Sequence, residues 1–175
     1  GGNYPGRDST SALEVDGINA AVSRHIGIDL AGAEGTEHGH CRLTLKSDKG
    51  RSGVHVDPAF YSGILYLSRP EDCVKPGAGG TDFFRHKRTG LERVPTNGAE
   101  LAATGYDNLD DLVGTVVNKD TMHPAKWERV MRVPIRFNRL LLFSPWQFHN
   151  SAPGFGTDPE SGRLVMLLFF AKAKG

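Results

Sequence analysis

The chain has 175 residues, with 21 basic and 20 acidic side chains and a formal net charge of +1. This length predicts one domain over residues 1–175 with its own core, and the balanced charge argues against a nucleic-acid or membrane-surface partner. The two cysteines, Cys41 and Cys73, follow no metal or disulfide spacing, which favours a reducing, cytoplasmic setting. No apolar run is long enough to cross a bilayer, so we expect a soluble protein.

The first predicted element is an amphipathic helix near the start of the chain. Ser11–Glu14 has the form of a capping box, and Gly27 supplies a stop. Apolar residues recur between them at helical spacing, at Val15, Ile18, Val22 and Ile26. The pattern predicts a helix that begins near Ser11, ends near Gly27 and packs one face against a larger element.

Strand patterns follow this helix. From Cys41 to Lys46 apolar and polar residues alternate, which predicts a half-buried strand. Further strands are predicted at 63–68 and, after a glycine-rich turn at 76–80, at 81–86. The strand pattern then returns near the end of the chain, in the segments 133–137, 139–143, 146–150 and 163–171.

Residues 87–132 interrupt the strand pattern, and we interpret them as a helical insertion that could cover a site. Its first helix carries the apolar residues of 109–116, and its second those of 124–131. The candidate N-caps are, in order, Asp107 or Asn108 and Asp120 or Thr121. Strands on both sides of an insertion, joined by short Gly/Pro turns, favour an antiparallel barrel or jelly roll.

The candidate functional residues centre on His55 and Asp57, which stand two residues apart on an apparently extended segment. Side chains at i and i+2 leave the same face of a strand, so both can reach one ion while Val54 and Val56 point into a core. Two histidines and one carboxylate leave three open positions on iron(II). His149, which closes an apolar run, is the best candidate for the second histidine, although a structural histidine at a strand end is the alternative.

Arg163 stands at the start of the most apolar predicted strand. A charged group there is costly unless it meets an anion, and the planar guanidinium group matches the two oxygens of a carboxylate. One interpretation is an anionic ligand beside the metal. The other is a salt bridge with Asp158 or Glu160 in the preceding loop.

His55–Asp57, His149 and Arg163, in that order, resemble the motif of the iron(II)/2-oxoglutarate-dependent dioxygenases. Tyr66–Ser68 and Gly79–Phe83 are similar to segments of the prolyl-hydroxylase-like branch of that superfamily. The resemblance runs from about residue 41 to residue 171. It implies a mainly β fold, the double-stranded β-helix (a cupin-like jelly roll), here with an N-terminal helix and the insertion at 87–132.

The resemblance also implies roles for individual residues. His55, Asp57 and His149 would hold Fe(II), Arg163 would pair with the distal carboxylate of the cosubstrate 2-oxoglutarate, and Tyr66 is a candidate second cosubstrate residue. O2 would convert the cosubstrate to succinate, and a C–H bond of an amino acid, a peptide side chain or a small carboxylated metabolite would be hydroxylated. The cofactor would supply this reactivity and the protein would supply position and exclusion of water.

Two hypotheses of other classes remain open. The first is a non-catalytic jelly-roll module that binds a metal or ligand without turnover. The second is an iron oxygenase or isomerase of the same fold that does not use 2-oxoglutarate, in which Arg163 binds the carboxylate of the substrate itself. In each case we expect the loops at 70–80 and 87–132 to determine specificity.

Other histidines and aromatic residues are assigned simpler roles. His38 and His40 repeat the i, i+2 spacing but lie in a glycine-rich turn, so we expect a solvated loop. His86, within a basic run, predicts a solvated strand end or an electropositive lip for an acidic substrate. Trp127 and Trp146 are interpreted as core aromatics, with substrate stacking by Trp127 as the weaker alternative.

Overall fold

The computed structural model describes residues 3–73 and 78–174. The regular elements, in chain order, are β1 (Arg7–Asp8), α1 (Ile18–Ile26), β2 (Leu30–Gly32), β3 (Cys41–Thr44), β4 (Tyr61–Tyr66), β5 (Thr81–His86), α2 (Gly98–Thr104), α3 (Leu109–Leu112), β6 (Trp127–Val133), β7 (Leu140–Phe143), β8 (His149–Ser151) and β9 (Arg163–Lys172). Single turns of 3₁₀-helix lie at Pro70–Asp72 and Pro124–Lys126, and a π-helical segment, Val113–Asn118, continues α3.

The strands form two antiparallel sheets. The larger sheet has the order β1-β3-β9-β4-β7, with β2 also paired to β9, and the smaller sheet has the order β6-β5-β8. The prediction of a mainly β, antiparallel protein with few helices is therefore confirmed. No helix in the described residues is long and apolar enough to span a membrane.

Strand β9 is apolar on both faces because both faces are covered. Met166, Leu168 and Phe170 pack against Val22 of α1 on the outer side of the larger sheet. The alternate residues, Arg163, Val165, Leu167 and Phe169, line a cavity between the two sheets. A strand buried on both faces reads as a continuous apolar run, which is why this strand was easy to predict.

The helices of the insertion cover the outer face of the smaller sheet. One core cluster joins Val54, Val94, Leu112, Val116, Val117, Trp127 and Phe148. The expected direction of Val54 into a core is thus confirmed, with the insertion as its partner. No described residue that lines the cavity comes from 87–132, so the expectation that the insertion covers a site on the cavity side is wrong.

Two helix predictions need correction. Helix α1 begins at Ile18 rather than near Ser11, because Gly17 adopts a left-handed backbone (φ 75°) and the N–H of Leu13 is hydrogen-bonded to Gly39 instead. The second predicted insertion helix is strand β6, paired with β5. The apolar residues at Trp127, Val130 and Met131 fit either period over so short a segment.

The remaining boundaries are closer to prediction. Asn108 caps α3 by accepting a hydrogen bond from the N–H of Asp111, as predicted, whereas α2, capped by Asn97, was missed. Strand β5 has the predicted limits, and β4 begins two residues earlier than predicted. In the predicted strand at 133–137, Val133 ends β6 and the residues after it are irregular, with a turn beginning at Phe137; the segment before His149 is not a strand. The turn at 76–80 lies partly outside the described residues.

Candidate metal centre

The structure brings His55, Asp57 and His149 together at one end of the cavity. One potential ligand atom from each side chain lies within 4.8 Å of the others, and this is the one such group of three found among residues 3–73 and 78–174. Asp57 and His149 are buried and His55 is partly buried. The three residues predicted from sequence as one site therefore could hold a single metal ion.

Backbone hydrogen bonds hold the two histidines side by side. The N–H of each residue donates to the carbonyl of the other, at 3.0 Å from His55 and 3.1 Å from His149, which forms an isolated antiparallel bridge. The N–H of Asp57 donates to Pro145 at 3.0 Å. The segment with His55 and Asp57 is thus fixed against the strand that carries His149, and the three side chains face one point.

The ring nitrogens of the histidines are divided between support and binding. Nδ1 of His55 lies 2.8 Å from the carbonyl of Gly53, and Nδ1 of His149 lies 2.8 Å from that of Gln147. Because a carbonyl only accepts, each Nδ1 carries a proton, and Nε2 is the ring nitrogen left to bind a metal. The Nε2 atoms lie 3.6 Å (His55) and 3.2 Å (His149) from the Asp57 carboxylate. This arrangement is typical of metal-binding histidines, whose other nitrogen is fixed by a carbonyl.

The electrostatics of His55 and Asp57 favour the deprotonated forms that a metal requires. Burial, together with the smaller effect of the neighbouring His149, lowers the pKa of His55 to about 4. Burial raises the pKa of Asp57, but hydrogen bonding and charge from His149, His55 and Ser62 outweigh burial, so its pKa lies below the usual value. Metal ligands must be deprotonated, and two imidazoles with one carboxylate suit divalent transition metals.

Asp57 also has a hydrogen bond outside the cluster. The hydroxyl of Ser62, on β4, donates to Oδ2 of Asp57 at 2.6 Å. Within the described residues no Lys or Arg pairs with Asp57 within 4.0 Å. A buried carboxylate without a cation is costly, and a metal ion between Asp57 and the two Nε2 atoms would offset that cost.

The cavity beside the cluster has a volume of about 220 Å³. Its deep walls come from both sheets, with Ile64, Thr81, Arg163, Val165, Leu167 and Phe169. Its outer wall is formed by the N-terminal segment and two loop or strand segments, at Tyr4, Pro5, Gly35, Thr36, Glu37 and Arg42. The cluster therefore opens onto a partly apolar chamber.

Arg163 lies in the cavity wall and is 3% exposed. Its Nε donates to the carbonyl of Gly79 at 2.7 Å and its Nη2 lies 3.5 Å from that of Gly80. Burial lowers its pKa to about 10, so the group stays charged at neutral pH. No ion pair joins it to Asp158 or Glu160 in the part of the chain that the structure describes, and Asp158 binds Ser161 instead.

Tyr66 reaches the cavity only through a neighbour. Its ring is fully buried, and its hydroxyl lies 2.8 Å from the hydroxyl of Thr81. Thr81 lines the cavity, whereas Tyr66 does not contribute to the lining. Burial raises the pKa of Tyr66. The hydroxyl next to the cavity is therefore that of Thr81. Thr81 lies within the Gly79–Phe83 segment, which was noted in the sequence for its similarity to a segment of a known family.

Three cavity or site residues were missed at the sequence level. The ring of Tyr4 lies 4.7 Å from that of His55, Arg42 lines the cavity mouth, and Ser62 binds Asp57. Tyr4 precedes the region of resemblance and Ser62 belongs to no motif. Arg42 was assigned to the polar face of a half-buried strand; that face is turned toward the cavity.

The other histidines are more buried than predicted. His86 is fully buried and contacts Asp120, so both the solvated strand end and the electropositive lip are wrong for this residue. His38 and His40 are partly buried, and their Nδ1 atoms lie 2.6 Å from the carbonyl of Phe169 and 2.9 Å from that of Ser9. These two histidines lie in a loop, as expected, but they are partly buried rather than solvated. Trp127 is a core aromatic as predicted, whereas Trp146 is 40% exposed, so its assignment to the core is wrong.

Comparison with known proteins identifies a family but does not indicate an activity. One family model, described as a family of unknown function (DUF6445), matches residues 53–170. No curated protein matches the sequence. The matched region contains all three members of the metal cluster and Arg163.

Proposed function

The chain belongs to the DUF6445 family, and we propose that it is an iron(II)/2-oxoglutarate-dependent dioxygenase. The observation that carries the proposal is the convergence of His55, Asp57 and His149 at a cavity that also contains the buried guanidinium group of Arg163. Two imidazoles and one carboxylate leave coordination positions open on an octahedral metal. A cationic fork in the same chamber suits an anionic cosubstrate.

Each side chain has a defined part in this proposal. His55, Asp57 and His149 hold iron(II), with Ser62 fixing the carboxylate. Arg163 keeps one edge of its guanidinium group on the carbonyls of Gly79 and Gly80 and offers the other edge to the distal carboxylate of 2-oxoglutarate.

The iron, when bound, supplies activation of O2 and oxidation of the cosubstrate and substrate. The apolar wall of Val165, Leu167 and Phe169 excludes water from the reacting groups. Thr81, held by Tyr66, adds a hydroxyl in hydrogen-bonding position for a ligand in the chamber.

We further propose that the two sheets are the halves of a double-stranded β-helix. Support comes from their placement: β4 and β9 of the larger sheet and β5 and β8 of the smaller sheet all contribute side chains to one cavity. A metal site at the end of such a cavity, built from a loop segment and a strand of the smaller sheet, is consistent with this architecture.

The test is an anaerobic titration with iron(II) followed by 2-oxoglutarate, read by visible absorption. We expect a metal-to-ligand charge-transfer band with the unmodified protein, its loss in His149→Ala, and its retention in His25→Ala, a control at an exposed histidine of α1. Absence of the band from the unmodified protein, under conditions in which it binds iron, would count against the use of 2-oxoglutarate.

An oxygenase that does not use 2-oxoglutarate is the second candidate, because the free edge of Arg163 recognises a carboxylate whichever molecule carries it. In that case O2 consumption continues without 2-oxoglutarate and fails in Arg163→Gln. A module without turnover would form no succinate with any substrate.

A further inference from the structure

We propose that Arg42 is a specificity-determining residue that binds the carboxylate of the substrate, and that the substrate is a small zwitterion of the α-amino acid class. The inference rests on the proposed function, because it assigns the substrate of that same cavity. It depends on three observations: the unused edge of the Arg42 guanidinium group, the separate position of Arg163, and the charge of Glu37.

The first observation concerns how Arg42 is held. On the neighbouring strand β1, Asp8 accepts from Nε at 2.5 Å and from Nη2 at 2.8 Å. These two bonds use one edge of the planar group. The opposite edge, which includes Nη1, has no acceptor among residues 3–73 and 78–174, although Arg42 lines the cavity. A guanidinium group can bind a second carboxylate through that edge.

Tyr4 restricts the same group further. The guanidinium carbon lies 5.1 Å above the centre of the Tyr4 ring, within the range of a cation–π contact. The Arg42 side chain is 17% exposed. Arg42 is therefore fixed by an ion pair on one side and by a ring on another, so little freedom is lost when a ligand binds.

The second observation is that two guanidinium groups line the cavity and that each uses the same edge, Nε and Nη2, to contact the protein. Arg163 also uses Nε and Nη2 for contacts with the protein, here with two carbonyls. The positive charge of Arg42 helps to lower the pKa of Arg163, after burial, so both act in one electrostatic environment. If the deep Arg163 binds the cosubstrate, Arg42 at the mouth remains for an anionic group of the substrate.

The third observation narrows the chemical class. Glu37 also lines the mouth, is exposed, and has no basic partner within 4.0 Å among the described residues. Its carboxylate repels a ligand that carries only negative charge and attracts an ammonium group. A molecule with both a carboxylate and an ammonium group satisfies Arg42 and Glu37 together, and this favours an amino acid over a phosphate ester or a dicarboxylate.

The competing interpretation is that Arg42 only stabilises β1 through the cross-strand pair with Asp8. The two interpretations differ in what Asp8→Asn does. If the pair is the whole role of Arg42, Asp8→Asn and Arg42→Gln have the same effect. If the free edge binds substrate, only Arg42→Gln affects ligand binding strongly.

The experiment measures binding to the full chain loaded anaerobically with iron(II) and 2-oxoglutarate. Isothermal titration calorimetry is used with each of the L-amino acids and with its carboxamide, and thermal unfolding confirms that each variant is folded. We expect at least one amino acid to bind at least about tenfold more tightly than its carboxamide. We expect Arg42→Gln to lower that affinity at least about tenfold and to remove the preference for the acid. Asp8→Asn should stay within about threefold of the unmodified protein.

Further variants and ligands complete the test. If Arg42→Gln does not fold, Arg42→Lys keeps the charge but not the fork, and we expect an intermediate loss of affinity. Glu37→Gln should weaken binding of the amino acid more than that of the matching carboxylic acid without its ammonium group. The proposal is overturned if no amino acid binds, if acid and carboxamide bind alike, if Asp8→Asn and Arg42→Gln have equal effects, or if inorganic phosphate binds more tightly than the amino acid.

The two proposals fail in different ways. The charge-transfer band is recorded on the same samples, and the calorimetry is repeated with metal-free protein. Carboxylate-selective binding that depends on Arg42, without a band, would refute the dioxygenase and leave the assignment of Arg42 intact. A band together with no acid-selective binding would do the reverse.

Discussion

Among residues 3–73 and 78–174, histidine and aspartate meet in two largely buried clusters: an insertion-side cluster of His86 and Asp120, and a cavity-side cluster of His55, Asp57 and His149. Only the second has the geometry of a metal site. In the insertion-side cluster, His86 Nε2 lies 3.0 Å from Asp120 and His86 Nδ1 lies 3.0 Å from the Thr89 hydroxyl. Trp127 packs 4.8 Å from the imidazole ring and donates its Nε1–H to the carbonyl of Asp120 at 2.8 Å. Both nitrogens of His86 are therefore occupied by side chains.

In the cavity-side cluster, backbone carbonyls occupy only the Nδ1 atoms of His55 and His149. Both Nε2 atoms then face the single carboxylate of Asp57 beside an open chamber. Burial of a histidine beside a carboxylate therefore does not identify it as a metal ligand. A metal site is indicated instead by a free ring nitrogen that faces the same point as the ring nitrogen of a second histidine, with open space beside that point.

The largest expected effect comes from removing a ligand of the cavity-side cluster. We expect Asp57→Ala or His149→Ala to lower affinity for iron(II) at least about a hundredfold and to abolish succinate formation, because two remaining ligands no longer define the site. Equilibrium dialysis against iron(II) under anaerobic conditions measures the effect. Undiminished affinity in both variants would show that the metal binds elsewhere.

The complementary change in the other contact should affect stability and not metal binding. His86→Ala leaves the Asp120 carboxylate without its imidazole partner and creates a cavity beside Trp127, so we expect a loss of about 3 kcal/mol in the free energy of unfolding. Urea denaturation measures this loss. Iron affinity should remain within about threefold, and a much larger change in affinity would contradict the separation of the two clusters.

The cavity-side cluster should also make the metal-free protein sensitive to acid. The pKa of His55 is lowered by burial from 6.5 to about 4, so between these values the unfolded chain binds a proton that the folded chain does not. The free energy of unfolding is therefore unaffected by this group above pH 6.5, and it decreases by roughly 3 kcal/mol as the pH falls to about 4. Urea denaturation at pH 7 and at pH 4.5 tests this, and His55→Asn should reduce the difference. Equal loss in the variant would assign the acid sensitivity to other groups.

The smallest expected effect concerns the support of Asp57. Ser62→Ala removes the hydroxyl that donates to Oδ2, and we expect roughly tenfold weaker iron binding with about 1 kcal/mol lost in stability. Ser68→Ala is a matched control, because Ser68 is equally buried on the larger-sheet side but bonds to Leu164 rather than to a metal-cluster residue. Equal metal affinity in the two variants would show that Ser62 has no part in positioning the carboxylate.

Several features of this protein follow from local sequence patterns. The start of β5 was identifiable from the glycine-rich turn before it, and the long strand β9 from its run of apolar residues, which suits a strand buried on both faces. His55 and Asp57 were identifiable because side chains at i and i+2 of an extended segment share a face, and His149 was identifiable because it closes an apolar run. The cap at Asn108 was identifiable because its side chain satisfies the helix end locally.

Which faces of the strands and helices meet depends on packing between distant segments of the chain. The alternation through β3 predicts that Arg42 shares a face with Thr44. It does not predict that this face lines a cavity, because a period of two does not distinguish the inner face of a sheet from the outer one. The insertion was recognisable, yet its position behind Val54 rather than over the cluster depends on packing between distant segments. His86 was interpreted as solvated because it stands in a basic run. Its partner Asp120 lies 34 positions away in sequence, and a contact over that separation leaves no local pattern.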